Sequence, residues 1–203
     1  EEFNPNSART LGARFMSSIS KKDGVSMTIR MLTGWSVDTI SAVAEGVCLR
    51  DYDFVEHQDV GPDYIPDDWI FEFQGADRHI QVVSEKLKLS QAIVSGVHLS
   101  RDLGNEPANV LYPMEYANRA LSWAESKPNV KVEVYDWDKL VEQGMGGLIN
   151  VGKGSDRKPC MVIFTLNPDQ DKGVRRPCVV GKGITFDTGG ISIKPTQGMW
   201  DMK

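Results

Sequence analysis

Histidine and cysteine are scarce in this chain, three of each, and that scarcity removes several site chemistries at once. His57, His79 and His98 nowhere form the His-Glu-x-x-His spacing of a helical zinc site. Cys48, Cys160 and Cys178 lie far apart and make no Cys-x-x-Cys pair, so neither a zinc knuckle nor a disulfide framework is indicated, and a reducing compartment fits best. No apolar run approaches the roughly 20 residues that cross a bilayer, so no membrane partner is expected. Positive charge is short as well: 23 Lys and Arg stand against 28 Asp and Glu, a net charge of −5. That balance gives no general attraction to phosphate backbones, and nucleic acid is not an expected partner. Glu1 to Pro5 have neither the basic start and apolar core of a secretory signal nor the arginines of a transit peptide. With no initiator methionine, the expectation is a piece from the interior of a longer polypeptide.

What is present is ordinary for a globular protein: 40% hydrophobic and 25% charged residues over 203 positions, enough for one large or two small cores. The pattern predicts an α/β protein in three parts: a partial small α/β domain over 1–83, a linker helix over 84–104, and the first part of a mainly parallel α/β catalytic domain over 105–203. Ala8, Leu11, Phe15, Met16 and Ile19 have helical spacing over Ser7 to Lys22, with Asn6 or Ser7 as the cap. Val25 to Met31 alternate as a strand, and Val37 to Arg50 return to helical spacing. Asp51 to Asp68, rich in aspartate with Gly61, Pro62 and Pro66, reads as a surface loop without calcium-loop spacing. Trp69 to Gln74 and His79 to Val83 read as two short strands.

Further on, Pro107 ends helix at Glu106, and capping and turn chemistry accounts for Asn105 to Asn109. A helix is predicted over Pro113 to Ser126, a strand over Val130 to Tyr135 and a short helix over Trp137 to Gln143. Met161 to Leu166 and Cys178 to Val180 read as buried strands, with Cys178 a core residue. Gly152 to Ser155 contains a Gly-Lys-Gly, but the Walker spacing is absent and Ser155 to Pro159 looks like a turn, so a structural loop is expected.

The chemistry concentrates in Val179 to Lys194, where two lysines, one aspartate and four glycines fall within sixteen residues. A buried strand ending in Gly181-Lys182-Gly183 would put Lys182 where the backbone leaves the sheet, the usual ligand side of an open α/β fold, with the two glycines allowing a close turn. A lysine can ligate a metal only after losing the proton it holds with a free pKa of about 10.4, and a nearby dication favours that loss. Asp187 offers a hard carboxylate to the same ion, Gly189 and Gly190 let the chain fold back, and Lys194 would keep its charge and face a reacting carbonyl. Taken without the wider pattern, a lysine and an aspartate near a glycine turn are more often a solvated loop. A serine nucleophile at Ser192 has no histidine near it in sequence.

The run Val179 to Pro195, followed by Gly198 to Lys203, resembles the signature of the leucyl aminopeptidases, the cytosolic dinuclear-metal aminopeptidases, in residue type and spacing across more than twenty positions. The resemblance implies metal ligation by Lys182 and Asp187 and a catalytic role for Lys194. All three would then also contact substrate, with Ser192 and Met202 nearby, Met202 lining the pocket for the first side chain. It further implies two divalent ions per full-length subunit, zinc foremost, with manganese, magnesium or cobalt possible. The implied activity is release of N-terminal residues, leucine-like for preference, from peptides with a free amino terminus, by a homohexamer in the cytoplasm. A further ligand aspartate beyond Lys203, two more carboxylates and an arginine belong to the family pattern and are absent here. The 203-residue chain alone is therefore expected to be inactive. The alternative is a non-catalytic aminopeptidase-like fragment or assembly subunit.

Overall fold

The structure is a computed structural model and describes residues 4–19, 27–31, 34–59, 69–73, 77–170, 173 and 175–203. Helices and strands alternate along the chain, the α/β class the pattern predicts. Two compact units divide between Asn105 and Glu106.

In the first unit, α1 (Pro5–Ser18) starts two residues earlier than its apolar spacing suggests. Asn4 is the cap, its side chain accepting from the Asn6 N–H, and Pro5 sits at the first helical position, where a missing N–H costs nothing. The strand β1 (Met27–Met31) pairs in parallel with β2 (Trp69–Phe73), and α2 (Val37–Arg50) lies between them in sequence. Residues 20–26 and 60–68, including the predicted end of the first helix and the second half of the aspartate-rich loop, lie outside the described residues. Helix α2 is buried continuously from Thr39 to Val47, on more faces than the single stripe of its apolar spacing. Ala8, Ile40, Ala42, Val43, Ala44 and Val83 form the core, with Val37, Phe71 and Leu87 packed on it.

The strand predicted at His79 to Val83 is instead the opening of α3 (Asp77–Asn105), so the predicted linker helix begins at Asp77 rather than Ser84. A short apolar run cannot be told from helix by its own period. The decision lies further along, where Val83, Ser90 and Val94 are buried and Leu87 half-buried at alternating spacings of four and three. The far end of α3 is tied to the end of α2. Tyr52 donates its hydroxyl to Asp102 at 2.7 Å and accepts from Asn105 Nδ2 at 3.1 Å, while His98 Nε2 lies 3.1 Å from the Cys48 carbonyl. Asn105 is thus spent on tertiary contact rather than on capping a helix.

In the second unit, Glu106 is buried and paired with Arg119 of α4 (Pro113–Glu125) at 2.8 Å. Glu115 joins the same guanidinium at 3.0 Å. The carbonyl of Pro107 accepts from the N–H groups of both Val110 and Leu111, so a turn, not an Asn109 cap, leads into α4. The N-cap is Tyr112, with no side-chain hydrogen bond.

Strands β3 (Val130–Tyr135) and β4 (Met161–Leu166) form as predicted but pair antiparallel, Tyr135 opposite Met161, not in the mainly parallel arrangement expected. Between them run α5 (Trp137–Glu142) and α6 (Gly146–Gly152), the latter not predicted. Six and seven residues of helix reach only about 10 Å, half the length of a six-residue strand. Neither helix carries the chain back as a parallel crossover requires, so β4 starts beside the end of β3. Gly152 ends α6, and a β-carbon there would stand 2.5 Å from the Pro159 ring. Lys153 to Ser155 follow as an exposed turn, the structural loop expected there.

The run Cys178 to Val180 is not a strand and not buried: it pairs with no described residue, and Val179 and Val180 are 94% and 90% exposed. Apolar composition favours a strand only where a ladder partner is present to take its N–H and C=O groups. Cys178 is likewise exposed, whereas Cys48 and Cys160 are half-buried. Burial pushes both of those thiols up, Cys48 with a smaller contribution from Asp51, so each holds less thiolate at a given pH than an ordinary cysteine. A thiol reagent at pH 8 is expected to label one cysteine quickly and two slowly, and Cys178→Ser is expected to remove the fast phase.

Candidate active site

Asp187 is the best-held residue of the signature segment. Its N–H donates to the Met202 carbonyl at 2.9 Å, tying the loop to the short 3-10 helix Met199–Met202. Its Oδ1 accepts from the Gly189 N–H at 3.0 Å, an aspartate turn that the Asp-Thr-Gly order could have signalled. Its Oδ2 lies 3.5 Å from Lys194 Nζ. The return to Lys194 is closed by the Lys194 N–H on the Thr188 carbonyl at 2.9 Å, and the Thr188 hydroxyl accepts from Gly190 at 3.3 Å. A loop of six intervening residues thereby brings a carboxylate and an ammonium face to face.

The Gly189 N–H is the main reason the Asp187 carboxyl is held below the usual carboxylate range; desolvation opposes it, Lys194 adds to the lowering and Lys182 contributes least. A depressed folded value means the stabilisation of this turn is complete above the unfolded pKa, 3.8, and is lost as pH falls through the lower folded one. The Gly189 amide shift in an NMR titration is therefore expected to move with a midpoint below 3.8. A midpoint at or above that value would remove the clamp.

The other predicted residues are less constrained. Lys182 is exposed on the extended segment, near enough for its charge to act on Asp187. Gly181 and Gly183, expected to allow a close turn, have open space where a β-carbon would stand and no positive φ. Ser192 is exposed, and it is its carbonyl that faces Gly189. Met202 meets the site through its backbone carbonyl, a contact no side-chain pattern announces.

As cation donors, Lys182 and Asp187 fit a hard divalent ion in kind: an amine, and a carboxylate fixed through one oxygen with the other outward. They do not fill a coordination shell. No group of three or more His, Cys, Asp or Glu that could hold a metal ion occurs among the described residues.

Residues 98–203, just over half the chain, match the sequence profile of the cytosol aminopeptidase family, catalytic domain. This chain belongs to that family. The cytosol aminopeptidase of Pseudomonas aeruginosa is 46% identical over 121 residues, 60% of this chain and 24% of that protein. The chain thus spans about a quarter of the length of the curated relatives it matches. The bottromycin maturation enzyme BotP, solved in complex with Mn, aligns at 29% identity and a TM-score of 0.69, covering 96% of this chain and 39% of that one. A tomato leucine aminopeptidase mutant aligns with a TM-score of 0.73 at 21% identity, covering 93% and 38%, a likeness of fold. The cytosol aminopeptidase family name places the relatives among the peptide hydrolases, and no helix among the described residues is long and apolar enough to cross a membrane.

Proposed function

We propose that this chain contributes to a metal-dependent leucyl aminopeptidase that releases N-terminal residues from peptides. The observation carrying this reading is the clamped Asp187 carboxylate set 3.5 Å from the Lys194 ammonium, inside the segment matched to the family. Lys182 and Asp187 would hold the cation, and the remaining donors would come from outside the described residues. Two divalent cations, zinc foremost, with manganese, magnesium or cobalt as substitutes, would supply Lewis acidity at the scissile carbonyl and ionisation of water near neutral pH. Asp187 stays ionised to low pH and presents its outward oxygen. Lys194 would offer an ammonium to the carbonyl oxygen as negative charge grows on it. Ser192 and Met202 would line the substrate's approach, Met202 beside the first side chain.

A homohexamer in the cytoplasm belongs to the same proposal, with light scattering as its check. Residues 1–203 by themselves are expected to be inactive, because two cation donors leave a dication under-ligated. The expressed full-length gene product should hydrolyse leucine amide, lose activity to a chelator and regain it with zinc or manganese. The alternative is a non-catalytic aminopeptidase-like fragment or assembly subunit. An intact, metal-free and inert full-length product would decide for that alternative.

A further inference from the structure

We propose that Gly189 is the positioning residue of this site, the one glycine of the four in Val179 to Lys194 whose lack of a side chain makes Asp187 and Lys194 face each other. The proposal deepens the aminopeptidase reading, and rests on it only for its kinetic consequence.

Gly189 acts twice. Its N–H takes one oxygen of Asp187 and leaves the other turned toward Lys194. Its φ is +86°, in the region L side chains rarely adopt, and a β-carbon there would stand 2.2 Å from the Ser192 carbonyl oxygen, 3.1 Å from the Lys194 nitrogen and 3.2 Å from Lys194 Cγ. The nearest two of these are backbone atoms of the returning chain, so no side-chain rotation relieves the overlap. Ser192 and Lys194 must move away, and the Lys194 N–H then leaves the Thr188 carbonyl it meets at 2.9 Å. Gly190 is the internal control. Its φ is also positive, +61°, but a β-carbon there meets nothing within 4 Å. Positive φ alone is common to both; close approach belongs to Gly189.

Three proteins distinguish the roles: the full-length gene product, Gly189→Ala and Gly190→Ala, each studied by amide hydrogen exchange and by steady-state hydrolysis of leucine amide. The wild-type Lys194 amide should be protected, Gly190→Ala should keep that protection, and Gly189→Ala should exchange as an open amide. In the kinetics, Gly189→Ala should lower kcat by about 100-fold with KM within about threefold, the signature of misplaced rather than missing groups. Gly190→Ala should stay within about tenfold of wild type, the usual reach of one residue in a left-handed conformation. Equal loss of protection in the two variants overturns the proposal. So does an unprotected Lys194 amide in the wild type, which needs no variant to fold. Selective loss of protection in Gly189→Ala supports it even if the wild type is inert, a result that would overturn the aminopeptidase reading alone.

Discussion

Lys194→Ala in the full-length gene product is expected to lower kcat for leucine amide by about 100- to 1,000-fold, the range found when one preorganised charge or donor is removed from an oxyanion site. Metal content should stay unchanged. The ammonium is positioned by backbone closure, Lys194 N–H on the Thr188 carbonyl, and by its approach to Asp187, so truncating the side chain leaves the loop's own hydrogen bonds in place. Asp187→Asn should behave differently. An asparagine oxygen can still accept from the Gly189 N–H, so the turn survives, but the charge that would attract a dication is gone, and bound zinc measured by elemental analysis should fall with activity. If Lys194→Ala strips the metal while Asp187→Asn retains it, the assigned roles are reversed. If both variants keep full activity, the site lies elsewhere.

Gly12→Ala is expected to destabilise the first unit by about 2 kcal/mol, and Gly46→Ala by a similar amount. The two glycines let α1 and α2 touch backbone to backbone. A β-carbon at Gly12 would lie 2.2 Å from the Val43 carbonyl oxygen and 3.0 Å from the Val47 nitrogen, and one at Gly46 would lie 2.1 Å from the Arg9 carbonyl oxygen. Alanine is favoured over glycine inside a helix by about 1 kcal/mol, so the overlap must outweigh that gain, and it does because the whole of α1 would have to lift. Lifting would loosen the contacts of Ala8 and Val43 and stretch the bond between Arg9 Nε and Glu45, a carboxylate only 6% exposed. An under-paired buried carboxylate adds its own penalty. Gly96→Ala, in α3 with open space around it, should give the opposite sign, a stabilisation of up to about 1 kcal/mol. Thermal unfolding of the three variants checks this: a gain at Gly12 or Gly46 would mean that the helix crossing is not as close as described, and a loss at Gly96 would mean that its surroundings are not open.

The legible parts of the fold were those with a long, uninterrupted period or an unambiguous boundary. Helix α2 runs Val37 to Arg50 as its spacing predicts, and β3 and β4 fall on their alternating or apolar runs. Sequence pattern and structure part where one local pattern suits two structures. His79 to Val83 has strand-like composition but is enlisted by the helical stripe that follows it, and Cys178 to Val180 has the composition of a core strand without a ladder partner among the described residues. At the site, residue types and spacing singled out Asp187 and Lys194, and a short loop held them near each other because closure over a few residues costs little entropy.

The sequence by itself determined the family, through a signature whose residue types and spacings are too many to coincide by composition, and the elements whose hydrophobic period extends over several turns. Only the tertiary structure decided that β3 and β4 run antiparallel, that Gly12 and Gly46 are helix contacts, and that Gly189 rather than Gly181 or Gly183 is the glycine the site depends on. The physical reason is common to all three. Pairing direction and close approach depend on which atoms of distant residues come within a few ångströms, and a glycine reads the same in sequence whether a carbonyl oxygen or open solvent occupies the space its side chain would fill.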